Sequence, residues 1–157
     1  MLAVLAILAG AAIALLSDGC AETTAREAAE RVAGDLRYVQ AAAVAGGAGR
    51  SVEFAVEEDG YRAYATDDGT TLTQPVSKLP FEVRLADLFP GARVDLVAAD
   101  FCGGSTVSFG AEGAPVAGGS LLLSAGRKRF AVDIAAGSGR IVVHAAGAQP
   151  ADQPVAN

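Results

Sequence analysis

The sequence predicts an α+β protein: one long N-terminal helix, apolar and then amphipathic, packed on an antiparallel β-sheet or small sandwich head. Three observations carry that expectation. Met1 to Leu16, MLAVLAILAGAAIALL, is an uncharged run. From Ala21 to Ala43 the apolar positions recur at steps of three and four. From Ser51 onward, short alternating segments are separated by Gly- and Asp-containing turns. Helical and strand periods occupy different parts of the chain, which is the segregation an α+β architecture shows.

The opening run, residues 1–16, is too apolar for a surface helix. At a rise of ~1.5 Å per residue it reaches about 24 Å, short of the ~30 Å hydrocarbon core of a bilayer. A secretory signal would carry a basic head before the apolar stretch, and none is present. A lipoprotein signal would end in small residues before an acylated cysteine; Ser17-Asp18-Gly19-Cys20 offers the cysteine and glycine but also an aspartate. The third reading is a membrane helix that continues beyond Leu16. Its membrane and assembly positions are Met1, Leu2, Val4, Leu5, Ile7, Leu8, Gly10, Ile13, Leu15 and Leu16. Ala6 and Gly10, four apart, allow another helix to approach closely where lipid supplies no hydrophobic drive.

Residues 17–46 continue as the amphipathic half. Ala21, Ala25, Ala28, Val32, Leu36, Val39 and Ala43 lie within about 40° of one helical direction and form the stripe expected to pack on the sheet. Charges fill the other side, with Glu22 four residues before Arg26 and Glu27 four before Arg31, the favourable acidic-first order. Gly46-Gly47 and Gly49 end the helix.

Residues 47–148 read as a β-rich head. Ser51–Val56 and Tyr61–Thr66 form a hairpin across Glu57-Glu58-Asp59-Gly60, read as an Asp-Gly turn. Phe81–Leu85, Arg93–Ala98, Thr106–Phe109, Ser120–Ser124, Lys128–Ile134 and Arg140–His144 are the further strands, with turns at Gly118-Gly119, Ala125-Gly126 and Gly137-Ser138-Gly139. The tail, residues 149–157, carries two prolines and is expected to be disordered.

Composition narrows the function classes. Eighteen acidic against twelve basic residues give a net charge of −6, which disfavours nucleic acid as a partner, because backbone binding depends on Lys and Arg. Cys20 and Cys102 are too few for a disulfide scaffold and sit in no metal or redox motif. Cys102 reads as a buried small hydrophobe or a disulfide partner; Cys20 lies ~120° around the helix from the alanine stripe, which argues against an internal bridge. His144 is the single histidine and no nucleophile motif accompanies it, so no catalytic activity and no cofactor are expected. Glu57-Glu58-Asp59 and Asp67-Asp68 carry oxygen ligands that calcium favours, but without the alternating spacing of a dedicated loop, and read as ordinary turns. Arg127-Lys128-Arg129 reads as a solvated turn.

The order of parts resembles the GspH/FimT-type minor pseudopilins. The resemblance rests on the apolar helix, the amphipathic helix containing Leu36-Arg37-Tyr38-Val39-Gln40-Ala41-Ala42-Ala43, the strand from Ser51, and a closing pattern. That pattern runs Val107-Ser108-Phe109, Gly113, Gly119-Ser120-Leu121-Leu122-Leu123, Arg129-Phe130-Ala131-Val132-Asp133-Ile134 and Gly139-Arg140-Ile141. It implies a pilin-like fold and a non-catalytic structural subunit of the pseudopilus tip of a type II secretion system. Other major and minor pseudopilins, the inner membrane, the secretin and the exported substrate are the implied partners. The implied location is the inner membrane, single-pass, with the head in the periplasm. Family members are processed and methylated prepilins whose mature chain begins with phenylalanine and has glutamate at its fifth position. Met1 is accordingly expected to be an internal methionine directly after that glutamate, and five further residues would lengthen the apolar run to ~31 Å. The alternatives are a FimT-like type IV minor pilin and an exported periplasmic binding protein, either a lipoprotein anchored at Cys20 or a released sandwich domain.

Overall fold

The computed structural model describes residues 2–146, with side chains from Gly19 onward. Met1 and the expected tail, residues 149–157, lie outside the described residues, as do the side chains of the expected membrane positions Leu2 to Leu16. One helix, α1 (Leu2–Gly46), precedes a head of eight strands: β1 (Arg50–Ala55), β2 (Gly60–Ala65), β3 (Glu82–Arg84), β4 (Val94–Asp100), β5 (Thr106–Phe109), β6 (Gly119–Ala125), β7 (Lys128–Ile134) and β8 (Ile141–Ala145). A one-turn helix, α2 (Leu85–Leu88), follows β3. The α+β class expected from the sequence is the one observed.

The head is not one sheet but two, each four-stranded and antiparallel: β3-β2-β1-β5 and β4-β6-β7-β8. Helix α1 packs across β6, β7 and β8 and also against β1. Ala25, Ala28, Val32, Leu36, Val39 and Ala43 are buried, and Ala21 is half-buried. Ala29 and Ala33 are buried as well, so the covered side is wider than the stripe read from the sequence. Opposite them stand Val52, Phe54, Val107, Leu121, Leu123 and Val132, all nearly inaccessible. Alanine at the helix surface lets the backbone approach the sheets closely, so the larger residues filling the core come mainly from the strands.

The helix stops as its glycines dictate. Gly47 adopts φ 56°, the Ala48 N–H bonds the Ala43 carbonyl (3.2 Å) and the Gly47 N–H bonds that of Val44 (3.2 Å), which together close the last turn.

Four local readings are corrected. The β1–β2 connection is a 3-10 turn, Val56–Glu58, followed by Asp59 at φ 49°; Gly60 is not the turn residue but opens β2. Glycine is needed there because a Cβ would stand 2.7 Å from the Val83 carbonyl. The strand expected to reach Leu85 ends at Arg84, since the Leu85 N–H turns to the Asp59 carbonyl (2.9 Å) and its side chain is buried. β4 carries a bulge between Leu96 and Ala98, which puts Val97 toward solvent. Gly119 belongs to β6, where a Cβ would collide with the Asp100 carbonyl and the Phe101 ring.

Candidate functional site

What the head presents is a set of attachments to α1. Arg37, on the last turns of the helix, donates from Nη2 to the Ile141 carbonyl (3.2 Å). Gln40 donates from Nε2 to the Gly113 carbonyl (2.8 Å) and the Gly139 carbonyl (3.3 Å), tying the helix to the loops before β6 and before β8. Asp35 accepts the Tyr61 hydroxyl (2.6 Å) from β2 and pairs with Arg31 one turn earlier (3.2 Å). Near the other end of the contact, Glu22 meets Lys128 of β7 (3.1 Å). Burial, then the Asp35 carboxylate beside it, pushes the Tyr61 hydroxyl well above the usual tyrosine range.

The sequence marks Glu22 and Arg31 only for pairs within the helix and Lys128 only as part of a solvated turn, whereas Glu22 pairs with Lys128 and Arg31 with Asp35. It reads Gln40 and Arg37 only as helix residues and Asp35 as part of a solvated face. Their partners lie 73, 104 and 26 residues away along the chain, beyond any local pattern.

The acidic turns are occupied structurally. Asp59 Oδ1 accepts the Leu96 N–H (2.7 Å), and Asp68 Oδ1 accepts the Thr70 N–H (2.9 Å), whose bond holds that carboxyl below its usual range. Among the described residues no group of three His, Cys, Asp or Glu is placed to hold a metal ion. Cys20 and Cys102 are both free and exposed. Cys102 is therefore not the buried hydrophobe that was one of its two readings: it sits at φ 57° in a tight loop whose backbone turns the side chain outward. His144, on the outer face of β8, has Nδ1 3.5 Å from Asp133 Oδ2. Beyond Glu53, an open cleft on the outer side of β1, β2 and β3 is lined by Glu58, Arg62, Glu82, Arg84 and Asp87, with Arg62 and Glu53 paired at 2.6 Å. Among the described residues no helix is long and apolar enough to cross a membrane.

A long helix with its alanine-rich side sunk against two antiparallel sheets, pinned by polar groups from both, defines the pilin-like α+β class. The family model described as type II transport protein GspH matches residues 28–147, and the chain belongs to that family. Two solved structures of the minor pseudopilin EpsH from the type 2 secretion system of Vibrio cholerae share the fold. They have TM-scores of 0.58 and 0.59 at 15% and 14% identity, and cover 79% of this chain and 98% and 97% of EpsH. The type IV minor pilin FimU of Pseudomonas aeruginosa PAO1 does so too, with TM-score 0.56 at 18% identity over 81% of this chain and 92% of FimU. At these identities the likeness is one of fold. No curated protein sequence matches the chain.

Proposed function

We propose that the protein is a minor pseudopilin: a non-catalytic structural subunit of the pseudopilus of a type II secretion system, assembled with other pseudopilins through α1. The family match across residues 28–147 carries this reading. The pinned helix supports it mechanically, because a subunit that transmits force along a filament needs its head fixed to its helix. In this reading the apolar run Met1 to Leu16 sits in the inner membrane before assembly and in the filament core after it. The head stands in the periplasm, where the secretin and the exported protein are within its reach.

Deletion of the gene in its native host tests the reading, with complementation by the intact gene and its upstream DNA. The expected result is accumulation of normally secreted proteins in the periplasm, and cross-links from photoreactive residues at Leu5 and Leu8 to other pseudopilins. Normal secretion combined with loss of surface pili would assign the protein to a type IV pilus instead. A mature chain beginning at an acylated Cys20 would refute assembly through α1 outright.

A further inference from the structure

Two open sheets have four edges, and an edge exposes a row of unpaired N–H and C=O groups unless something closes it. On three of the four, a bulge, a short charged strand or another part of the chain interrupts that row. β5 is met by the chain after it: the Val116 N–H bonds the Ser108 carbonyl (2.8 Å) and Phe109 bridges Pro115. β3 has three residues, two of them charged, and its Glu82 N–H folds back to the Pro80 carbonyl (2.8 Å). β4 is bulged, and its Leu96 N–H is taken by Asp59 (2.7 Å).

β8 differs. The Ala135 N–H bonds the Arg140 carbonyl (2.9 Å) and the Ala146 N–H bonds the Arg129 carbonyl (2.9 Å). In an antiparallel ladder that phase turns the backbone groups of Arg140, Val142, His144 and Ala146 toward β7, and those of Ile141, Val143 and Ala145 outward. Arg37 takes the Ile141 carbonyl. Among the described residues nothing bonds the outward groups of Val143 and Ala145. The strand, Ile-Val-Val-His-Ala, carries no proline, lysine or acid that would guard it.

The surroundings say what fits. Arg140 precedes the strand, Arg37 stands at its first residue, and Arg26 and Glu30 both lie within about 20° of Arg37's direction on the helix, so that arginines outnumber the one acid of that row. A second copy pairing β8 with β8 would bring this arginine-flanked edge against its like. We propose that the free edge of β8 accepts an extended, acidic strand of a partner protein, which becomes a fifth strand of the β4-β6-β7-β8 sheet. Main-chain bonds to Val143 and Ala145 supply the attachment, and the flanking arginines select acidic side chains.

The test uses the full chain in mild detergent with a probe strand, Thr-Val-Asp-Val-Thr-Val-Asp, joined behind Asn157 by a flexible Gly/Ser linker, and a second version with Lys in place of each Asp. Amide exchange at Val143 and Ala145 is the readout. The acidic strand is expected to slow exchange there about tenfold or more, and the lysine strand by less than about threefold, since tethering raises the local strand concentration to roughly millimolar. In the acidic-strand chain, Ala145→Pro removes an outward donor and is expected to abolish protection at Val143. Ala146→Pro removes an inward donor and is expected to lower thermal stability instead. Equal protection by both strands, no protection by either, or protection of both amides in the chain without a probe each overturns the proposal. Should Ala145→Pro fail to fold, the comparison of the two strands still decides.

Discussion

Asp59 performs two separable tasks, and substitutions can set one against the other. Its backbone is at φ 49°, a conformation that costs an ordinary L-residue roughly 1 kcal/mol or more and that Gly, Asn and Asp tolerate best. Its carboxylate accepts the Leu96 N–H at 2.7 Å in a part-buried position, a charged hydrogen bond contributing about 1.5–3 kcal/mol. Its carbonyl also receives the Leu85 N–H (2.9 Å), an attachment that side-chain changes leave intact. Asp59→Asn keeps the backbone preference and an acceptor and is expected to cost under about 1 kcal/mol. Asp59→Gly relieves the backbone but deletes the acceptor, for a net loss of about 1–2 kcal/mol. Asp59→Ala loses both and is expected to cost about 2–4 kcal/mol. Urea unfolding of the full chain in mild detergent measures the series. Tyrosine fluorescence is the signal, since there is no tryptophan and Tyr61 and Tyr64 report on the head. If the glycine variant equals the parent, or the alanine variant equals the glycine one, the separation of the two tasks is wrong.

Tyr61→Phe deletes the hydroxyl bonded to Asp35 and is expected to cost about 1.5–3 kcal/mol near neutral pH. Because the folded-state value of Tyr61 is raised, the parent's stability is full below the unfolded tyrosine value and falls as pH climbs past about 10; unfolding measured across that range should show a shallower alkaline loss in the phenylalanine variant. Gln40→Ala removes two donors from a half-buried junction and should lower stability by roughly 1–2 kcal/mol, read as a reduced thermal midpoint. Two glycines should respond oppositely to alanine. Gly34, exposed on α1 with nothing near its Cβ position, should gain about 1 kcal/mol, whereas Gly119 should lose about 1–3 kcal/mol or more through collision with Asp100 and Phe101. Parallel melting curves of the two variants check the signs.

The helix was legible because its signal is a period. Steps of three and four from Ala21 to Ala43 place one side against the core without reference to anything distant. Ala29 and Ala33 escaped because they lie about 60° and 100° around the helix from the stripe's direction, and only the presence of two sheets, rather than one, covers the wider arc. Strand positions came mostly within a residue or two, since alternation is local, but the division into two sheets depends on pairings such as Ser51 with Ser108 that no local pattern encodes. Asp59-Gly60 shows a subtler failure. A strong two-residue turn signal was present, yet the turn falls one position earlier because a carbonyl of β3 requires the glycine inside the strand. The attachments of Arg37 and Gln40 were illegible for the same reason as the sheet division: a polar helix residue looks alike whether it meets water or a distant carbonyl.

Those attachments differ in strength along the helix, and the order has a mechanical consequence. From Glu22 to Gln40 the gripped stretch is about 27 Å long. At its far end Gln40 and Tyr61 hold α1 through part-buried hydrogen bonds, and Leu36 and Val39 between those attachments are buried in the core. At its near end the Glu22–Lys128 pair is 56% and 39% exposed, and such a pair contributes at most about 1 kcal/mol. Bending stress applied to the apolar half of α1 is therefore released first around Gly19 to Glu22, by parting an exposed ion pair, before it reaches the buried junction at Asp35 and Gln40. The head can thus change its tilt against the apolar half of α1 without unfolding, while pull along the helix axis is borne by the core.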